Sequence, residues 1–172
     1  AIVIFQHAEQ AYERAGLPEE RARNLLNIGN AYLLQGQVAA ARRAADAAGH
    51  LAGVSKQTRI SALVRILLGD IAAAENRGNR ATECWREAAE LARGLRDKIL
   101  LFKALVASYR FMRQTGDRED IIRLERRLRR LAAWMPEDID ELREFRCLTP
   151  LGGHPHPNRV AKSQQRHFIP RN

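Results

Sequence analysis

The chain is poor in the residues that usually announce a chemistry. Aromatics make up 6% of its 172 residues, and there are two cysteines, Cys84 and Cys147, far apart with no CxxC spacing. Neither a disulfide scaffold nor a zinc site of the usual spacing fits that arithmetic, and a reducing, cytoplasmic setting is the expectation. No apolar run approaches the roughly 18 residues needed to span a bilayer. The opening Ala-Ile-Val-Ile-Phe is short and soon meets His7 and Glu9, so neither a signal peptide nor a membrane span is expected. Proline is sparse as well. It stands at Pro18, at Pro136 and four times in the tail from Thr149.

No Ser-His-Asp set, paired-carboxylate motif or phosphate-cradling glycine loop can be assembled by spacing. The expectation is therefore that the chain is not an enzyme, with no cofactor and no metal. His154-Pro155-His156-Pro157 offers two histidines without a third ligand, and the prolines read better as an extended linker.

What the chain does have is alanine, arginine and a period. Ala41 and Ala81 are 40 residues apart, as are Ala48 and Ala88 and also Gly29 and Gly69. Small residues returning in phase at such a distance mark an array of helix pairs. The pairs are expected at about 18 to 34 with 38 to 52, about 56 to 75 with 80 to 93, and about 97 to 114 with 118 to 134. A half pair over 1 to 15 precedes them. Gly16, Gly36 and Gly94 are expected to end helices, Gly53 to Ser55 to break the chain, and Ser55 and Asp117 to serve as N-caps. The extra length over the shortest helix-pair repeats is expected between one pair and the next. A short amphipathic helix starting at Pro136 is expected to cap the array through Ile139, Leu142 and Phe145. The array occupies 1 to 147 and looks like part of a longer chain that starts mid-repeat. Residues 148 to 172 form a basic Pro/Gly-containing tail, expected to be extended or mobile.

The net charge is +9, mostly arginine, and the tail adds Arg159, Lys162, Arg166 and Arg171 without an acid. On the last long helix Arg123, Arg126, Arg127 and Arg130 form a basic stripe. Glu119 and Glu125 stand one turn from Arg123 and Arg129, which favours a solvated, internally paired face. Nucleic-acid binding through this helix and the tail ranks below the readings that follow, because aromatics do not interleave with the stripe.

The stretch Asn27-Ile28-Gly29-Asn30-Ala31-Tyr32-Leu33-Leu34-Gln35-Gly36, continuing through Ala41, Ala45 and Ala48, resembles the tetratricopeptide repeat. The second repeat matches at Leu68, Gly69, Ala81, Trp85 and Ala88 and departs at Ala72 and Asn76. The third keeps Gly116 but has Tyr109, Ile121 and Leu128 at small-residue places. The period exceeds the family's 34 residues and is similar to the longer repeats of bacterial transcription regulators and signal-transduction ATPases. The resemblance implies an all-α, right-handed α-solenoid of about three and a half helix pairs with a short C-terminal capping helix. It also implies a protein- or peptide-binding scaffold that uses its concave face. The alternative is a ligand- or peptide-sensing domain of a bacterial transcription regulator whose DNA-binding or ATPase domain lies upstream. Carried over by position, the concave face holds Arg23, Asn27, Asn30, Lys103, Arg110 and Arg113, with Leu33, Leu34, Asp70, Ala73 and Gln114 beside them. Amides suit an extended peptide backbone and cations suit carboxylates, so the expected partner is an acidic or carboxylate-terminated peptide.

Overall fold

The computed structural model of the chain describes residues 2–116 and 118–149. Among them there are eight helices and no strand: α1 (Ile2–Arg14), α2 (Pro18–Leu34), α3 (Val38–Val54), α4 (Thr58–Ala74), α5 (Gly78–Gly94), α6 (Lys98–Thr115), α7 (Arg118–Ala132) and α8 (Asp140–Leu148). The expected all-α class holds. The cap expected at Asp117 and most of the tail lie outside the described residues.

The regularity is finer than the 40-residue period. Helices α2 to α5 are each 17 residues long and are followed by three-residue linkers. In every linker from α1 to α6 the middle residue has positive φ: Gly16 at 66°, Gly36 at 72°, Lys56 at 53°, Asn76 at 58° and Arg96 at 54°. These five stand twenty residues apart. Each reverses the chain by the same pair of bonds, in which two linker amides turn back onto the last helical turn. In the second linker Gly36 N donates to Leu33 O (3.0 Å) and Gln37 N to Tyr32 O (2.9 Å). In the fifth Arg96 N donates to Arg93 O (3.0 Å) and Asp97 N to Ala92 O (3.0 Å). This is the Schellman closure, which satisfies carbonyls that a helix end otherwise leaves bare.

The closure moves several expected boundaries. Gly53 does not break the chain; it is helical in α3, and Ser55 is a C-cap whose Oγ donates back to Leu51 O (2.7 Å). Gly78 and Asn79 belong to α5, and Gly94 is its last residue, the turn falling on Arg96. The length beyond a shorter repeat is therefore spread along both helices and not gathered between pairs. Pro136 does not open the last helix, because the chain first makes tight turns through Trp134 N→Leu131 O (2.9 Å) and Met135 N→Ala132 O (3.1 Å). Helix α8 begins at Asp140.

Packing runs between sequence neighbours, with α2 on α3 and α4 on α5 the most extensive. A second set of contacts joins α2 to α4, α4 to α6 and α6 to α8. Alanine makes the close pairs possible: Ala41, Ala45, Ala48 and Ala52 of α3 and Ala81, Ala88 and Ala92 of α5 are buried. Two glycines do the same. A Cβ at Gly29 would stand 2.7 Å from Leu67 Cδ2, and a Cβ at Gly69 would stand 2.6 Å from Trp85 Cδ1. The tilted ring of Phe111 then covers Trp85 at 5.6 Å between centroids. At the C-terminal end Phe102, Tyr109, Leu128, Leu142 and Phe145 form one cluster. Helix α8 is thus held by two rings packed edge-on to Phe145, Phe102 at 5.9 Å and Tyr109 at 5.8 Å.

Candidate functional site

Helical spacing sets the site. Arg23, Asn27 and Asn30 follow one another by four and three residues on α2, and Arg59, Leu63, Ile66 and Asp70 do so on α4. Each set therefore shares a face, and the contacts among α2, α4, α6 and α8 bring those faces together. Between them lies a hollow of about 440 Å³. Arg23, Asn27 and Asn30 line one wall, Leu63, Ile66 and Leu67 the floor, and Lys103 and Glu141 the far side. A second hollow of about 620 Å³ adjoins it, lined by Leu33 and Leu34, by Ala73 and Ala74, and by Trp85, Arg110, Phe111 and Gln114. Asn30, Asp70 and Glu141 belong to both. The two hollows make one groove with an apolar floor and polar rims.

Four of the six expected site residues, Arg23, Asn27, Asn30 and Lys103, line the first hollow. Arg110 lines the second. Arg113 lines neither; it donates through Nη1 to Leu148 O, at the C-terminal end of α8. Leu33, Leu34, Asp70, Ala73 and Gln114 line the second hollow as well.

The electrostatics of the groove differ from a row of free cations. Lys103 Nζ donates to both oxygens of Glu141, at 2.7 and 2.6 Å. Arg110 donates to Asp70 Oδ1 (2.8 Å) and to Glu144 Oε1 (2.9 Å). Arg23 pairs with Glu19 at 2.7 Å and Arg59 with Asp97 at 3.1 Å. The amides of Asn27 and Asn30, by contrast, are exposed and have no hydrogen-bond partner among the described residues. Burial pushes the Asp70 carboxyl up to about 6, although Arg110 and the indole of Trp85 both pull it down. The Trp85 N–H is itself buried and does not reach hydrogen-bond geometry with any group among the described residues.

Residue types and spacing did not disclose Glu141 and Glu144. Both lie on α8, whose apolar residues alone pointed to a cap. The available signal was their place beside Leu142 and Phe145 on that helix, Glu141 standing four residues before Phe145.

Cys84 is buried and Cys147 exposed, and both are free; burial pushes the Cys84 thiol up. Among the described residues no group of three or more His, Cys, Asp or Glu could hold a metal ion, and no helix is long and apolar enough to cross a membrane. No family model matches the chain, and no curated protein matches it.

Proposed function

We propose that the chain is a tetratricopeptide-like, right-handed α-solenoid that binds a protein or peptide segment in the groove along α2, α4 and α6, and that it is not an enzyme. The observation that carries the reading is the pair Asn27 and Asn30. Two exposed amides without partners stand beside an apolar floor of Leu63, Ile66 and Leu67. Each amide both donates and accepts, which matches the alternating groups of an extended peptide backbone. The paired helices, their common length and the contacts from α2 to α4 to α6 support the solenoid.

The ligand is an extended peptide with an apolar side chain for the floor. A carboxylate is best received between Arg23 of α2 and Arg59 of α4, which are held only by partly exposed pairs that contribute about 0–1 kcal/mol. A carboxylate further along competes with Glu141, Asp70 and Glu144 for Lys103 and Arg110.

The test is selection from a random peptide library followed by calorimetry on the selected peptide. Asn27→Ala with Asn30→Ala should weaken binding by about tenfold or more, on the basis of about 0.5–1.5 kcal/mol per hydrogen bond. Arg23→Ala should weaken peptides that end in a free carboxylate and leave amidated ones unchanged. Equal affinity for wild type and the double variant, with melting unchanged, would place the binding surface elsewhere.

A further inference from the structure

More than half of the lysines and arginines among the described residues are held by carboxylates, as with Arg42 on Glu75, Arg65 on Glu87, Arg86 on Glu90 and Arg129 on Glu125. Arg93, Arg96, Lys98, Arg127 and Arg130 make no ion pair among the described residues. They are gathered at one end of the array. Helices α5 and α6 are joined by a three-residue linker, so the end of α5 with Arg93, the linker residue Arg96 and the start of α6 with Lys98 lie together. The chain following α7 returns to the same end, because the Lys98 ammonium sits over the ring of Trp134 at 4.8 Å. Arg127 is half-buried, and its pKa is lowered first by that burial and then by Arg93 and Arg130. Arg127 is therefore near enough to Arg93 and Arg130 for like charge to act across α5 and α7. Three carboxylates that flank them in sequence are occupied: Glu90 by Arg86, Asp97 by Arg59 and Glu137 by Arg146.

The same end carries the most exposed aromatic ring of the described residues, Trp134 at 73%. Lys98 covers part of it, and the rest is open. We propose that this end of the array, formed by Arg93, Arg96, Lys98, Arg127, Arg130 and Trp134, binds single-stranded nucleic acid. The arginine forks and Lys98 hold phosphates, and the Trp134 ring stacks on one base. Planar guanidinium groups take phosphate oxygens two at a time. An indole with an open face receives any unpaired base, whereas a base inside a duplex has no free face to offer. A bilayer is the poorer occupant, because Leu95 at 42% is the one exposed large apolar side chain beside Trp134, too little to insert. This surface is separate from the groove, so the two proposals stand or fall independently.

The experiment uses the full chain and a fluorescently labelled oligo-dT, followed by anisotropy across a salt series. The arms are an equal-length DNA duplex and vesicles of phosphatidylcholine with phosphatidylserine. Two double variants remove equal charge: R127Q/R130Q from the patch, and R80Q/R86Q from arginines already paired with Glu83 and Glu90. The expected result is salt-dependent binding of dT, weakened about tenfold or more by the patch variant. The slope of log K against log salt should fall by about 1.4, from roughly 0.7 per phosphate contact. The paired-arginine variant should change affinity less than about twofold. Trp134→Ala should weaken dT binding about fivefold or more, as the loss of one stacked base requires, and leave duplex binding unchanged. Equal loss in the two double variants would overturn the proposal, since net charge or the basic tail would then account for binding. So would an unchanged affinity in Trp134→Ala, or a patch-dependent preference for the anionic vesicles.

Discussion

Asp70 is the residue on which the groove turns. It faces Arg110 of α6, with Glu144 of α8 on the same guanidinium and the Trp85 indole of α5 beside it. Its carboxyl titrates at about 6 in the folded chain against an ordinary value of 3.8. Between those values the folded state binds the proton more readily than the unfolded state. Stability from this group is therefore greatest near pH 4 and declines as pH rises to about 6. Glu75 works in the opposite sense, because hydrogen bonds from Arg42 hold its carboxyl below the usual value. A variant comparison separates the two. The stability of wild type minus that of Asp70→Asn should fall by on the order of 2 kcal/mol between pH 4 and 6 and be flat above. Urea unfolding at each pH measures it, and a flat difference from pH 4 to 7 would show that the charged form carries no burial cost.

The linker residues give a second prediction at this scale. Lys56 and Arg96 hold positive φ with side chains that disfavour it, where Gly16 and Gly36 do so freely. Arg96→Gly and Lys56→Gly should each stabilise the fold by about 0.5–1 kcal/mol, after allowing for the greater freedom of glycine in the unfolded chain. Thermal melting checks this, and a fall in both variants would mean that the long side chains contribute more than the backbone strain costs. Arg96→Gly also removes one cation of the proposed nucleic-acid surface, so its melting and its binding are read separately.

At the scale of the element, α2 to α5 are defined more by their ends than by their starts. The N-cap residues Leu17, Gln37, Gln57 and Arg77 make no side-chain cap, and Asp97 is the exception, accepting from Leu100 N at 2.9 Å. The repeated C-terminal closure sets helix length, and length sets which residues meet at each crossing. Gly69 of α4 is the tightest of these meetings, since Trp85 of α5 lies where its Cβ would be. Gly69→Ala should cost about 1–3 kcal/mol by overpacking despite alanine's better helix propensity. The same range applies to Ala48→Leu and Ala88→Leu, both fully buried. Chemical unfolding is the measurement. A stable Gly69→Ala protein would require the indole to move, and a shift in Trp fluorescence would report that.

For the whole molecule the decisive element is α8. It does not merely cover the end of the array. Its apolar side joins the core through Leu142 and Phe145, while Glu141 and Glu144 reach Lys103 and Arg110 in the groove. Phe145→Ala should cost about 3–5 kcal/mol, the usual range for losing a buried ring. It should also raise amide exchange in α8 and in the middle of α6 before it affects α2 and α3. Exchange measured by mass spectrometry tests the order; uniform loss along the chain would mean that the array unfolds as one unit and that α8 has no separate influence on the groove.

The helical class, the positions of most helices and the small-residue crossings were legible in the sequence, because they depend on local backbone preference and on periodicity along one chain. Gly16 and Gly36 marked their turns openly. Lys56 and Arg96 gave no such mark, since nothing local distinguishes a lysine or arginine that will hold positive φ, and so Ser55 was assigned the wrong part in its linker. The choice of Arg23, Asn27, Asn30 and Lys103 came from the resemblance to the tetratricopeptide repeat, and all four line the first hollow. Their charge state in the groove was not legible. Glu141 and Lys103 are 38 residues apart and Glu144 and Arg110 34 apart, and a pair at that separation forms only when the chain between them has folded back. Local order along the sequence therefore determined which side chains face the groove, and the docking of α8, driven by burial of Leu142 and Phe145, decided which of those charges remain free.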